Sequence, residues 1–471
     1  MNDDMKLYWG EIHTHTGYSD GQGTPEEAAA EARAHLDFWA CADHICSSAG
    51  IESWHTKFMD NWPETQRVIS RHNDPGSFVT ILAYEYTSIG GDFNIYFPSD
   101  EAEGYLPEDV RDFAEFARDN DAILIPHHTG YISGIRGLDW DDFIPDVMPL
   151  VEIFSMHGSS ECEPGPFPMD LPWMGPRATA GTVREGLNRG HRFGVIGSSD
   201  GHGGYPGNYL MGLAAVYAEE LTREGLFEAF RSRRCYGVTG DRIVIDFTAN
   251  GSPMGSEIEP GDCEIEYCVR AMDAIDRVEI VKNGNVFVSD TANESRDDAY
   301  RVRLEWGWGR ERENTVWDGR LEVERGEILD ASPNFGSPGP NRIMSLDHDA
   351  SEWQTHVNIG LTDEWRHCRN GREATQQIVF TVGGDETTGL NVSTRSHDFS
   401  MTLGELCRGS SVVICGDDEF GPKFKFHTAR PLGDCESASA LVDRAKTGDY
   451  YYLRVIQQNG QMAWSSPIFV R

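Results

Sequence analysis

The chain has 471 residues, enough for two domains and too many for one ordinary core. Its 77 acidic against 40 basic residues leave a formal net charge of −37, which argues against nucleic acid or an anionic membrane surface as a general partner. No run reaches the roughly 18 apolar residues that span a bilayer, and MNDDMKLYW lacks the basic, apolar, small-residue plan of a signal peptide, so a cytoplasmic protein is expected. The ten cysteines form no CxxC pair, and buried free thiols are the expectation; Cys263 and Cys268 suit neither a zinc ribbon nor a redox motif.

From Leu7 to about Val238, short apolar runs alternate with helical patterns. The runs are LYWGEIH, DFWACADH, FVTILAYEYT, AILIPHH, LVEIFSMHG, RFGVIGSSDGH and, as a last one, MGLAAVYA. Between them lie TPEEAAAEARAH, with Thr24 as cap and Pro25 at the first helical position, then SWHTKFMDNWPETQRVISRHN, PEDVRDFAEFARDN, TAGTVREGLNRG and LTREGLFEAFRSRR. That order predicts βα units in an α/β domain with a mainly parallel sheet or barrel over residues 1–240. After Gly240, runs such as IVIDFTANG, CEIEYCVRAM, RVEIVKNGNVFVSD and QQIVFTVGG alternate apolar and polar residues, predicting a mainly β, sandwich-like domain over 241–471. Its Gly- and Trp-rich stretch at about 305–345 reads as an irregular insertion, and GDYYYLRVIQQNGQMAWSSPIFVR as a hairpin turning at Asn459-Gly460.

Of 16 histidines, His13, His15, His44, His127, His128, His157 and His202 follow directly on predicted strands of the first domain. In a parallel βα architecture those ends share the face where active sites are built. Asp20, Asp43, Glu85, Glu152 and Asp200 join them. His13 with His15, and Asp200 with His202, are spaced two apart, so each pair faces one side of an extended segment. Imidazoles mixed with carboxylates suit zinc, manganese or iron. His35 and His191, by contrast, stand at predicted helix C-termini, where the helix dipole explains them.

HTHTGYSDG, the ADH of residues 42–44, AYEYT around Glu85, IPHH, EIFSMHG and GSSDGH resemble, in order, the metal-binding motifs of the PHP (polymerase and histidinol phosphatase) superfamily. Within it, LYWGEIHTHTGYSDGQGTPEEA and YYYLRVIQQNGQMAWSSPIFV resemble the DUF3604 subgroup. The resemblance implies a distorted (β/α)7 barrel with two to three divalent transition-metal ions, Zn, Mn or Fe, and hydrolysis of phosphate esters. It implies one metal on His13, His15, Glu85 and Asp200, a second on Glu85, His127 and His157, and a third on His44, His202 and Asp20. Asp20 stands where many relatives have a histidine, which bears on the third metal's identity. His128 competes with the adjacent His127 for the second position.

Such a centre clamps phosphoryl oxygens and lowers the pKa of a bridging water from about 15.7 towards 7, so the expected reaction is hydroxide attack on a small phosphate monoester or diester. The resemblance implies that Glu85 is the bridging carboxylate. Asp43, His128 and Glu161 are candidate proton donors, with Asp43 alternatively orienting a ligand histidine. Arg136, Arg177 and Lys57 are candidate substrate-binding cations, or ordinary surface charges. Trp54, Trp62, Tyr131, Trp173 and Tyr205 could wall a pocket or pack under loops; Trp306, Trp308 and Trp317 could stack on a sugar or pack in a core. Two other readings stand beside this one: hydrolysis of a carboxylic ester, lactone or amide, and a non-catalytic metal-stabilised binding protein. The expected partner is a small-molecule substrate, with no nucleic acid or membrane, and homo-oligomerisation is left open.

Overall fold

The computed structural model describes residues 5–46, 52–88, 90–133, 136–163, 165–167, 169, 177–291, 298–307, 315–336, 341–357, 375–395, 397–415 and 423–471. Its first half follows the predicted alternation: β1 (Lys6–Glu11), α1 (Pro25–Arg33), β2 (Phe38–Cys41), β3 (His44–Cys46), α2 (Glu52–His72), β4 (Val79–Ser88), β5 (Gly91–Phe97), α3 (Val110–Asp119), β6 (Ile123–His127), β7 (Leu150–Ser155), β8 (Gly158–Ser159), α4 (Val183–Asn188), β9 (Gly194–Gly197), β10 (Leu213–Ala218), α5 (Arg223–Arg231) and β11 (Cys235–Val238). Side chains satisfy the free N–H groups that open these helices. Thr24 and Glu27 form a capping box on α1, and Asp109, Thr182 and Thr222 cap α3, α4 and α5.

The sheet is mixed rather than mainly parallel. β1, β2 and β4 pair in parallel, β5 lies antiparallel between β4 and β6, and β10 runs antiparallel to β1. β5 is absent from the predicted runs: GDFNIYF folds back from β4 as a hairpin, entered through Gly91 at φ 129°, a conformation that favours glycine. Among the described residues the hydrogen-bonded path stops at β6, and β7, β8 and β9 form a three-stranded sheet of their own, so the expected closed barrel is not shown. Alternate residues of β1, β2, β4, β5, β6, β7, β9 and β10 still meet in one apolar cluster that includes Phe38, Ile81, Tyr96, Ile125, Leu150 and Ile196.

Since β1, β2, β4 and β6 all run one way, their C-terminal ends open on a common side. An antiparallel strand begins where its neighbours end, so Asp92 at the start of β5 pairs with His127 at the end of β6.

The second half is mainly β. Two sheets, one built around Ala299–Gly307 and Thr375–Gly383 and the other around Thr315–Glu324 and Ala350–Val357, enclose a core with Trp306, Trp317, Trp353, Phe380 and Phe424. The stretch expected to be irregular therefore contributes strands over much of its described length, because RLEVE alternates side chains between core and solvent. Trp306 and Trp317 are core residues rather than exposed stacking platforms, and Trp308 and Trp173 lie outside the described residues. Hydrogen bonding also crosses the change in sequence texture at Gly240: β11 pairs with Met462–Ser465, and that strand with Tyr450–Gln457. The described cysteines are free thiols, and Cys268 is exposed rather than buried. Among the described residues no helix is long and apolar enough to cross a membrane.

Candidate metal centre

Beyond β1 the chain stays extended, held by His15 N–H donating to the Gly201 carbonyl at 2.8 Å. Thr14 turns away, taking a hydrogen bond from Trp39 Nε1 at 2.9 Å, while His13 and His15 face the other side and are wholly buried. The next turn brings Asp20 inward. Its anchor is Asp43, which accepts from Thr16 N at 2.7 Å, Thr16 Oγ1 at 2.6 Å and Ser19 Oγ at 2.6 Å. Both Asp43 oxygens are thus committed to building that loop, which corrects its assignment as a proton donor. Lys57 Nζ donates to the Ser19 carbonyl at 2.8 Å, so it too braces the loop rather than facing a substrate.

Two carboxylates occupy the middle of the histidine set. Glu85 Oε2 lies 3.1 Å from His13 Nε2 and 3.2 Å from His15 Nε2, and Oε1 lies 3.2 Å from His127 Nε2. Asp200, at φ 55°, puts Oδ1 3.1 Å from His15 Nε2 and Oδ2 2.9 Å from His157 Nε2. Asp20 stands 3.7 Å from His44 Nε2 and 3.4 Å from His202 Nε2.

The outer ring nitrogens form a consistent pattern. Nδ1 of His13 meets Glu152 at 2.8 Å, that of His44 meets Thr87 Oγ1 at 3.1 Å, that of His157 meets Tyr131 Oη at 3.2 Å, and that of His202 meets the Asp200 carbonyl at 2.9 Å. Each contact fixes a ring so that Nε2 points at the central acids, the arrangement that orients metal-ligating histidines.

Among the described residues, donor atoms converge in four groups, each within 4.8 Å: His13, His15, Glu85 and Asp200; His15, Asp20, His44 and His202; Asp92, His127 and His128; and His128, His157 and Asp200. The first matches the set implied for one metal. The second is the set implied for the third metal with His15 added. The set implied for the second metal is divided: His127 reaches Glu85, whereas His157 reaches Asp200 and groups with His128. The His128 ring touches both, its centroid 4.3 Å from that of His127 and 4.9 Å from that of His157.

Electrostatics show what the cluster lacks. Burial works against charge on both central acids, yet Glu85, beside His44 and His127, and Asp200, beside His13, are held well below the usual carboxylate range. His15, although buried, is raised to about 10 by Asp200 and Glu85. Burial pushes His127 down to about 3 and Glu152 up to about 7. Buried Nδ1 atoms of His15, His127 and His128, Oδ1 of Asp20 and Oε1 of Glu152 have no hydrogen-bond partner. Converging acids, inward imidazole nitrogens and orphaned donor atoms fit divalent cations of the zinc, manganese and iron kind.

The remaining candidates fall around this core. His128 Nε2 lies 3.1 Å from Asp92, which also pairs with Arg136, so Arg136 stands beside the cluster. Arg177 pairs with Glu163 at 3.2 Å and is largely exposed. Glu161 is tied to the C-terminal strands and is no proton donor to the cluster. Trp62 and Tyr205 are packed residues. The ring of His35 stacks on Tyr205 at 5.3 Å, and burial with Arg242 nearby lowers its pKa to about 3, so it is neutral and the dipole explanation fails. Burial also lowers His191, which packs on Trp140 and Phe143.

The sequence places Glu152 on this face but not as the partner of His13, and it does not single out Asp92 or Thr87. Thr87 was findable, being two residues after Glu85 on the same strand face; Asp92 required knowing that β5 is antiparallel.

The family model for the protein of unknown function DUF3604 matches residues 25–96 and 208–252. Those segments hold β2, α2 and β4 with His44 and Glu85, and the other strand-end histidines and acids assemble around them. Over those segments the chain is DUF3604-like. Uncharacterised relatives of this DUF3604-like chain occur in Chlamydia pneumoniae, 29% identical over 61% of this chain and 50% of the relative, and in Chlamydia muridarum, 27% identical over 59% and 48%. A third, from Chlamydia trachomatis, is 33% identical over 36% of this chain and 29% of its own. The chain therefore spans about half the length, or less, of the curated relatives it matches. Two solved structures are similar at low superposition scores. One is a two-domain Bacteroides vulgatus protein containing an inferred PHP-like metal-dependent phosphoesterase, 13% identical, covering 85% of this chain and 96% of that one, with a TM-score of 0.36. The other, from Bifidobacterium adolescentis, is itself inferred to be a metal-dependent phosphoesterase, 16% identical, covering 41% and 87%, with a TM-score of 0.26.

Proposed function

We propose that this protein is a metal-dependent hydrolase acting on a small phosphate monoester or diester, with the chemistry carried by residues 1–240 and the β region of 241–471 in support. The observation that carries this reading is the pair Glu85 and Asp200, each presenting its two oxygens to different histidines in one buried cluster. His13, His15, Glu85 and Asp200 would hold one ion, and Asp20, His44 and His202 another with His15 alongside. His127, His128, His157 and Asp92 offer the donors for a further one. Divalent ions held there supply Lewis acidity and neutralise phosphoryl charge.

The chain's own residues do the rest. Glu152, Thr87 and Tyr131 hold the outer nitrogens of His13, His44 and His157, so these rings pay no reorientation at the moment of reaction. Arg136, held by Asp92 at one edge of the cluster, is the cation placed to meet a substrate anion. The histidine and carboxylate groups are spread over several strand ends, unlike a closed four-ligand structural site, which favours catalysis over a purely stabilising metal.

The test is metal analysis of the purified protein, followed by phosphate-ester and carboxylic-ester panels with Zn, Mn and Fe(II). The proposal expects bound metal and turnover of phosphate esters. Turnover confined to carboxylic esters would replace the phosphoesterase reading, and the absence of bound metal without rescue by any of the three would end it.

A further inference from the structure

One buried carboxylate gathers three donors from the C-terminal hairpin. Glu161 Oε1 accepts from the Tyr452 hydroxyl at 2.7 Å and from Arg454 Nη1 at 2.8 Å, and Oε2 accepts from Trp464 Nε1 at 2.8 Å. All three donors sit in the hairpin Tyr450–Gln457 and Met462–Ser465. Arg454 is held from its other side by Glu279 at 2.6 Å, so this arm is fixed before it reaches Glu161.

Glu161 follows His157 closely in the chain, and the turn between them has little slack. β8 folds back on β7 through Phe154 with Ser159 and Ser155 with Gly158, and Gly158 sits at φ 109°, where side chains are disfavoured. Ser160 N donates to the Ile153 carbonyl at 2.8 Å, and Ser160 Oγ accepts from Gly130 N at 3.3 Å. Tyr131, which holds His157 Nδ1, is next to Gly130 in the chain. Phe154 of β7 stacks on Trp464, whose indole N–H is one of the three donors, with centroids 6.0 Å apart.

We infer that Glu161 is a positioning residue through which the C-terminal hairpin sets the location of His157. This rests on the metal-centre reading above. A carboxylate buried at this depth persists because its donors offset its lost hydration, so the contact has one favourable geometry rather than many. The turn carrying His157 is registered against that geometry at one end and against Tyr131 at the other. Far along the same hairpin, Asn459 and Gln457 donate to a different buried acid, Asp241, at 2.8 Å each, so the hairpin's two anchors can be perturbed separately.

The experiment compares Glu161→Gln, Tyr452→Phe, Trp464→Phe and Asn459→Ala in the full chain, reading metal equivalents, the affinity of each by titration, and Tm. In Glu161→Gln, one equivalent is expected to weaken on the order of 10-fold or more while the others hold. Tyr452→Phe and Trp464→Phe, each removing a single hydrogen bond, should weaken the same equivalent by less, and they carry the test if Glu161→Gln fails to fold. Asn459→Ala should lower Tm with metal affinity unchanged. Wild-type affinities for every equivalent in the Glu161, Tyr452 and Trp464 variants, with only Tm reduced, would show a plain structural brace and overturn the inference. A wild-type protein without bound metal would overturn the reading beneath it, and this one with it.

Discussion

Glu152 Oε2 lies 2.8 Å from Nδ1 of His13, with both side chains buried. The contact sets which His13 nitrogen carries the proton and leaves Nε2 facing Glu85 and Asp200. Glu152→Ala is expected to lower affinity for the ion at His13 by about 10–100-fold. Glu152→Gln should lose less, because its amide oxygen still accepts the Nδ1 proton. Titration calorimetry on protein with unchanged circular dichroism measures both, and wild-type affinity in the alanine variant would remove Glu152 from the centre.

His13 and His35 separate chemistry from packing. His13→Ala removes a nitrogen aimed at two central carboxylates and should lose metal and activity together. His35→Ala removes a neutral ring stacked on Tyr205, costing about 1–3 kcal/mol of stability while metal content stays at the wild-type level. Parallel metal analysis and thermal melts distinguish them; equal loss of metal in both would contradict the assignment.

Metal binding should release protons at neutral pH. In the metal-free protein His15 has its pKa raised to about 10 against burial, by Asp200 and Glu85. The stability from that proton is fully present below about 6.5 and is lost as pH rises through about 10. A cation needs the neutral ring, so it displaces the proton, and apparent affinity should rise with pH across the neutral range. Calorimetry in two buffers of different ionisation enthalpy reads the release; identical heats in both would refute it.

Asp241 is a polar knot between the two halves. It accepts from Arg303 Nη2 at 2.7 Å, Tyr209 Oη at 2.9 Å, Asn334 Nδ2 at 2.9 Å, and Gln457 and Asn459 at 2.8 Å each. Asp241→Asn leaves the Arg303 guanidinium buried without its counter-charge, and about 3–5 kcal/mol of destabilisation is expected from denaturant unfolding. Burial opposes the charge, but Arg303 and the amide donors lower the Asp241 pKa, so its contribution is present above about 3.8 and disappears as pH falls below that. A loss under about 1 kcal/mol would mean the other donors suffice without the charge.

Much of the site was legible because ligand chemistry needs particular side chains at strand ends, and HTHTGYSDG, ADH, EYT, PHH and SSDGH supply them there. Less legible were partners whose role depends on strand direction. Asp92 looks like an ordinary residue after two glycines until β5 is seen to run antiparallel, which carries its first residues to the end where β6 finishes. Asp43 shows the converse, since its place beside His44 suggested chemistry, while its oxygens are spent on Thr16 and Ser19.

By itself the sequence determined the kinds of atom in the centre, the helix start set by Thr24 and Pro25, and the β character of the second half, because these follow from local spacing and side-chain chemistry. Only the tertiary structure decided that the sheet is mixed, that His128 groups with His127 on one side and with His157 on the other, and that the last hairpin joins the first half through Glu161 and Asp241. Those outcomes depend on contacts between residues far apart in the chain, whose partners are selected by burial and by the need to satisfy each buried polar group.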